Sequence, residues 1–193
     1  RLPQENIARF VREKRSWIER RQQILAARPA PTCPDFSDGQ TVYLWGESRR
    51  LRLEPAARGR NAFLRDQDIV LQVHPGDTPA QRQALLNSFY RAQLDARIRA
   101  CLPYWEGKTG LHPASVQIKN MKTRWGTCNT AAKRIWLNLQ LVKQPPVCLD
   151  YVLAHELTHL LHPDHGNGFW AFLLRVMPDC KAIRKALNET PFL

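Results

Sequence analysis

No apolar run in this 193-residue chain reaches the roughly 18 residues that a membrane-spanning helix needs, so the sequence holds no candidate span. The start, Arg1-Leu2-Pro3-Gln4, lacks the basic patch and apolar stretch of a secretory signal peptide. C-x-x-C pairs are missing as well. The five cysteines, Cys33, Cys101, Cys128, Cys148 and Cys180, are odd in number and widely spread. That pattern argues against a disulfide framework or a cysteine zinc site, and for free thiols in a reducing compartment, read here as the cytoplasm. Internal repeats, low-complexity tracts and flexible linkers are absent. Acid is scarce: 17 Asp and Glu stand against 29 Lys and Arg, leaving a formal charge of +12. Such an excess attracts polyanions at long range, so nucleic acid, nucleotides or acidic substrates join peptides as partner classes. A basic surface that serves solubility alone is the other reading.

The length suits one substantial core or two small lobes. Ile7, Phe10, Val11, Trp17, Ile18, Ile24 and Leu25 recur at helical spacing and predict an amphipathic helix over 4–28. Pro29, Pro31 and Pro34 then break it. Short alternating segments at 41–45, 50–54, 62–65 and 68–73, with glycines at or near their ends, predict a small antiparallel sheet. Thr78 is a suitable N-cap for a helix reaching about residue 101. Strands are expected at 115–119 and 134–139, with 124–128 extended or in a loop between them. Pro145-Pro146 opens a helix to about residue 161, and a buried helix is expected over 169–177. A boundary near Gly76-Asp77 divides 1–76, an N-terminal helix with a strand-rich lobe, from 77–193, which carries the chemistry. The two together are expected to pack as one compact unit.

That chemistry is His155-Glu156-Leu157-Thr158-His159, an H-E-x-x-H motif inside the best helical segment of the second half. Histidines four apart stand one turn apart on one helix face, so both imidazoles reach one ion. Glu156 is offset by about 100° and approaches a metal-bound water without displacing a ligand. A catalytic Zn2+ site wants three protein ligands and an open fourth position. His162 and His165 are the candidates for the third. His162 shares the helix face but lies about 10 Å along the axis from His155. His165 follows Pro163, where the chain leaves the helix and folds back, and the spacing from His155 to His165 equals that of the metzincins. We take His165. Two incidental histidines on a buried helix are the bland alternative.

Beside that motif stand Lys122-Thr123-Arg124-Trp125-Gly126-Thr127-Cys128, then Ile135-Trp136-Leu137-Asn138, Asp150-Tyr151-Val152, and His165-Gly166-Asn167-Gly168-Phe169-Trp170. Together these resemble the YgjP-type metallopeptidase-like family, which is similar to the SprT- and WLM-type zinc metalloproteases. The resemblance implies an α+β, zincin-like fold with a small, mostly antiparallel sheet packed on helices and the H-E-x-x-H helix in the C-terminal half. It implies a peptidase using Zn2+, with the histidine of the H-x-x-x-F-W element, here His165, completing the site. Gly166 departs from the serine usual after that histidine. The family typically begins with a further strand or hairpin, so residues upstream of Arg1 are expected. By the same resemblance an extended peptide would lie along an edge strand, 115–119 or 134–139.

Other site assignments rest on the residues. Gly126 permits a close backbone approach or a kink. Arg124 offers a charge to a carboxylate or phosphate, although a solvated arginine explains it equally well. Trp125 reads first as core and second as a cleft wall. Asn138, Asp164 and Asp179 are candidates to orient the imidazoles, and Asn138 also joins the candidate substrate contacts. Lys108, Lys119, Lys122, Arg124, Lys133, Arg134 and Lys143 are expected to rim the cleft. Peptidase is therefore the leading reading. A hydrolase of nucleotides or other phosphate-bearing substrates (pyrophosphatase-like) is the alternative. A binding module with a retired site, linked to nucleic-acid metabolism, is the third, and an intact Glu156 argues against it.

Overall fold

In the computed structural model of the chain, residues 5, 9, 12–16, 19 and 35–189 are described. Its contacts divide the chain into two compact units, Arg1–Asp35 and Phe36–Leu193. In the first, residues 5, 9, 12–16 and 19 are helical, and Arg15 Nε meets Glu19 Oε1 at 2.8 Å, one turn apart. The rest of the expected 4–28 helix, the proline break and Cys33 lie outside the described residues.

The second unit begins with a hairpin. β1 (Thr41–Leu44) alternates exposed and buried residues, and β2 (Glu47–Pro55) returns antiparallel to it. Trp45 and Gly46 join them with φ of +54° and +84°, the left-handed pair that a tight two-residue turn requires. The Trp45 N–H donates to the Val142 carbonyl at 2.7 Å. A Cβ on Gly46 would come within 2.9 Å of Pro145 Cγ. The hairpin tip is thus docked against the segment that leads into the motif helix.

β3 (Asn61–Arg65) and β4 (Asp68–Val73) complete a sheet of order β1-β2-β4-β3. β2 and β4 pair in parallel, Leu51 opposite Ile69 and Leu53 opposite Leu71. Helix α1 (Pro79–Thr109) opens with a reciprocal capping box. Gln81 N–H donates to Thr78 Oγ1 and Thr78 N–H to Gln81 Oε1. The helix outruns the expected end near residue 101 by two turns, passing through Pro103. An interior proline costs about 3 kcal/mol. What holds the last turns is Trp105, buried, with its Nε1–H donating to Asp150 Oδ1 at 2.9 Å.

The second sheet has β5 (Ser115–Lys119), β6 (Gly126–Asn129) and β7 (Arg134–Asn138), in the order β5-β7-β6. β5 runs parallel to the central β7, and β6 runs antiparallel. A 3-10 turn at Leu139–Lys143 leads to α2 (Pro146–Thr158), and α3 (Asn167–Val176) and α4 (Cys180–Glu189) follow. The expected α+β class, with sheet packed on helices and the motif helix in the C-terminal half, is the fold observed. It has two sheets instead of one, each with a parallel pair among antiparallel ones. Gly76 and Asp77, expected to mark a boundary, form a turn inside the second unit between β4 and α1. The core threads through Leu51, Ile69, Leu71, Leu94, Leu137, Leu149, Leu153 and Leu173, all fully buried. No helix of the described residues is long and apolar enough to cross a membrane.

Candidate metal centre and cleft

α2 carries His155 and Glu156, and His159 is its C-cap. The His155 and His159 ring centroids lie 4.9 Å apart. Beyond them the N–H groups of Leu161 and His162 donate to the Thr158 carbonyl at 3.1 and 2.9 Å, and Pro163 ends the turn. The loop then reverses. Gly166 N–H donates to Asp164 Oδ1 at 3.0 Å, and His165 returns with its Nε2 3.0 Å from Nε2 of His155. One ring nitrogen from each of His155, His159 and His165 lies within 4.8 Å of the other two. His162, the rival for the third place, points elsewhere, its ring against Gly168 and 6.1 Å from that of Phe172.

Phe169 underlies the cluster. Fully buried, it sits 4.8, 4.8 and 4.7 Å, centroid to centroid, from His155, His159 and His165. A ring packed against all three imidazoles restricts how far any can turn. His159 Nδ1 lies 3.1 Å from the His162 carbonyl. A carbonyl only accepts, so Nδ1 carries the proton and Nε2 keeps its lone pair. His155 Nδ1 faces the Tyr151 hydroxyl at 3.5 Å. Burial, reinforced by His159 and His165, lowers the His155 pKa to about 3. Burial also lowers that of His159. These two imidazoles are neutral at neutral pH, as ligands must be. Three converging nitrogen donors with an open side fit a catalytic zinc ion. Neither Asp164 nor Asp179 bonds an imidazole among the described residues; the orienting partners are a backbone carbonyl and a phenol.

Glu156 is 5% exposed, and burial raises its pKa to about 8, opposed by the positive charge of Arg124. Its carboxylate lies under β6. A Cβ on Gly126 would come within 2.6 Å of Glu156 Oε1 and 2.8 Å of Val152 Cγ1. Only glycine lets the strand approach that closely. Asn138 N–H donates to the Trp125 carbonyl at 2.8 Å, which fixes the antiparallel alternation. Residues 127 and 129 face β7, and Gly126 and Cys128 turn their N–H and C=O groups to the free edge. That edge borders an open cleft of about 390 Å³, lined by Arg124, Gly126, Thr127, Cys128 and Thr130 and by His155, Glu156, His159, Pro163 and His165. Past Glu156 the cleft continues into a recess of about 220 Å³, where Trp125, Tyr151, Arg184 and Asn188 join the wall. The Cys128 thiol is pushed up to about 11 by burial and by Glu156.

Arg124, Trp125 and Gly126 all reach this wall, as the sequence suggested. Asn138 does not. It is fully buried, and its side chain is spent on backbone: Nδ2 donates to the Met121 and Arg124 carbonyls, and Oδ1 accepts from the Met121 and Gln140 N–H groups. It clamps the loop that carries Arg124 and touches neither substrate space nor imidazole. The edge strand beside Glu156 is β6, whereas β7, one of the expected edges, is the central strand. Of the seven cations expected to rim the cleft, Arg124 alone lies on its wall. Sequence reasoning missed Arg184 and Asn188, whose helix was not foreseen, and the placement of Phe169 under the histidines.

A family model described as YgjP-like, metallopeptidase domain, matches residues 1–190. None of the curated proteins matches the chain. Among solved structures, the metallopeptidase zymogen abylysin of Pyrococcus abyssi is similar at 23% identity and a TM-score of 0.44, over 47% of this chain and 90% of that one. With the match running over residues 1–190, the chain belongs to the YgjP-like metallopeptidase family.

Proposed function

We propose that the chain is a zinc-dependent peptidase in which His155, His159 and His165 hold the metal and Glu156 is the general base. One observation carries this reading. A histidine ten residues beyond the first in sequence is brought to 3.0 Å from it, nitrogen to nitrogen, beside a buried carboxylate on an open cleft. Zinc at such a site supplies Lewis acidity, lowering the pKa of water from about 15.7 to about 7. Glu156 accepts a proton from the attacking water at a carboxylate oxygen and returns it to the leaving amine nitrogen. Gly126 keeps the carboxylate close under β6, and the outward backbone groups of Gly126 and Cys128 pair with an extended peptide. We place the protein in the cytoplasm, a reading supported by Cys101, Cys128, Cys148 and Cys180, all free.

The test is proteolysis of casein by the zinc-loaded chain, with Glu156→Gln as control and a nucleoside triphosphate panel run alongside. The reading expects casein cleavage and a loss of about 10²- to 10⁴-fold in the variant, which keeps its zinc. A fully active Glu156→Gln protein sinks the general base, and hydrolysis confined to the triphosphates replaces the peptidase reading.

A further inference from the structure

Helix α4 has two distinct faces. Cys180, Ile183 and Leu187 recur at helical spacing and are buried or half-buried. Lys181, Arg184, Lys185 and Asn188, at i, i+3, i+4 and i+7, form an exposed stripe beside them. With Asn167 and Trp170 of α3, that stripe lines a cavity of about 540 Å³. No carboxylate among the described residues lines it. None of its three cations has an ion pair among the described residues. Like charges one turn apart repel one another, so the face is poised to gain from an anion.

The cavity is joined to the reaction cleft. Arg184 and Asn188 line both it and the recess that holds His155 and Glu156. Arg184 lies 5.0 Å over the Trp170 ring, which in turn stands 6.1 Å from the ring of His165. Stacking on Trp170 limits where the guanidinium fork can point.

We propose that this cavity is a specificity subsite that takes an acidic side chain of a peptide lying in the cleft. The inference rests on the peptidase reading. A guanidinium fork with flanking ammonium groups matches a carboxylate, the asparagine amides offer further donors, and the Trp170 face covers an aliphatic stem. An extended peptide advances about 3.3 Å per residue, so an acidic residue reaching from Glu156 past Arg184 lies within a few positions of the scissile bond. A free phosphate would satisfy the same cations. It would make no use of the free β6 edge that borders the adjoining cleft, which is why a peptide is favoured.

The experiment measures binding, so it does not depend on cleavage. Fluorescein-labelled peptides identical except for one Glu, Gln or Lys are titrated by anisotropy against the zinc-loaded full chain carrying Glu156→Gln. The Glu peptide should bind about tenfold more tightly than the Gln peptide, with Lys weakest, as a charge-assisted pair implies. The difference should collapse near 1 M salt, where screening acts over about 3 Å. Adding Lys181→Glu, Arg184→Glu and Lys185→Glu should invert the order, while Arg184→Lys should keep Glu ahead with a smaller margin. Zinc content and melting temperature check that each variant is folded. Equal affinity for the three peptides overturns the subsite, whether or not nucleoside triphosphates bind the stripe, and so does a triple variant that still prefers Glu. If the Glu preference holds but the chain with Glu156 intact leaves that peptide uncut, the peptidase reading fails and the subsite stands.

Discussion

The two sheets handle charge in opposite ways. Around β1–β4 four arginines are matched: Arg52 Nε meets Asp68 at 2.9 Å, Arg65 meets Glu54 at 2.7 Å, and Arg60 and Arg49 pair with Asp77 and Glu47. Around β5–β7 and the helices beside them, Glu156 is buried with no cation bonded to it. Arg124, Lys181, Arg184 and Lys185 have no ion pair among the described residues. Matched exposed pairs contribute little, typically about 0–1 kcal/mol each, and leave nothing for a ligand. An uncompensated buried carboxylate is costly, and a fold keeps one where chemistry needs it.

Glycines give the sharpest way to break that contrast. Gly126→Ala drives a methyl to within 2.6 Å of Glu156 Oε1. It should cost about 100-fold in peptidase activity through a displaced carboxylate, with zinc content unchanged. Gly59→Ala, where an added Cβ meets nothing within 4 Å, should leave activity as it was. Equal kinetic effects from the two substitutions would remove the argument for close approach.

Asparagines sharpen it through stability. Asn138→Ala strips partners from the Met121 N–H and from the carbonyls of Met121 and Arg124 in a buried loop. Denaturant unfolding should show a loss of about 2–3 kcal/mol. Asn61, exposed, bonds only the N–H of its neighbour Ala62 among the described contacts, and Asn61→Ala should stay within about 0.5 kcal/mol.

A pH-dependent effect concerns Glu156 itself. Its folded pKa is raised from 4.5 to about 8, so the metal-free fold holds a proton that the unfolded chain releases. Ionising the carboxylate is free of this cost below pH 4.5 and opposes folding increasingly up to about pH 8. The melting temperature of the metal-free protein should therefore fall over that window relative to Glu156→Gln. Parallel curves for the two proteins would show that burial does not penalise this carboxylate.

What the sequence made legible was what local spacing encodes. H-E-x-x-H placed two histidines and Glu156 on one helix, and Pro163 marked the reversal that returns His165. β4 and β5 fell where alternation put them. Parallel pairing of β2 with β4 was hidden, because the partner lies beyond β3 and no turn residue announces it. Pro103 concealed the last turns of α1, since local propensity lost to the burial of Trp105. α4 went unread altogether, and with it the stripe from Lys181 to Asn188. Its spacing is visible in the sequence, but nothing there shows that Arg184 reaches the wall holding Glu156. Asn138 was noticed for the wrong reason: a polar residue near a motif looks like a contact until its bonds are seen to end on backbone.

His165, and not His162, is the residue we propose to complete a metal centre with His155 and His159. Competition against a zinc-binding chelator measures it directly on the intact chain, on His165→Ala and on His162→Ala. One zinc per chain is expected, held tightly by the native protein and by His162→Ala, and bound at least about 100-fold more weakly by His165→Ala. Undiminished affinity in His165→Ala, or a loss confined to His162→Ala, would contradict it.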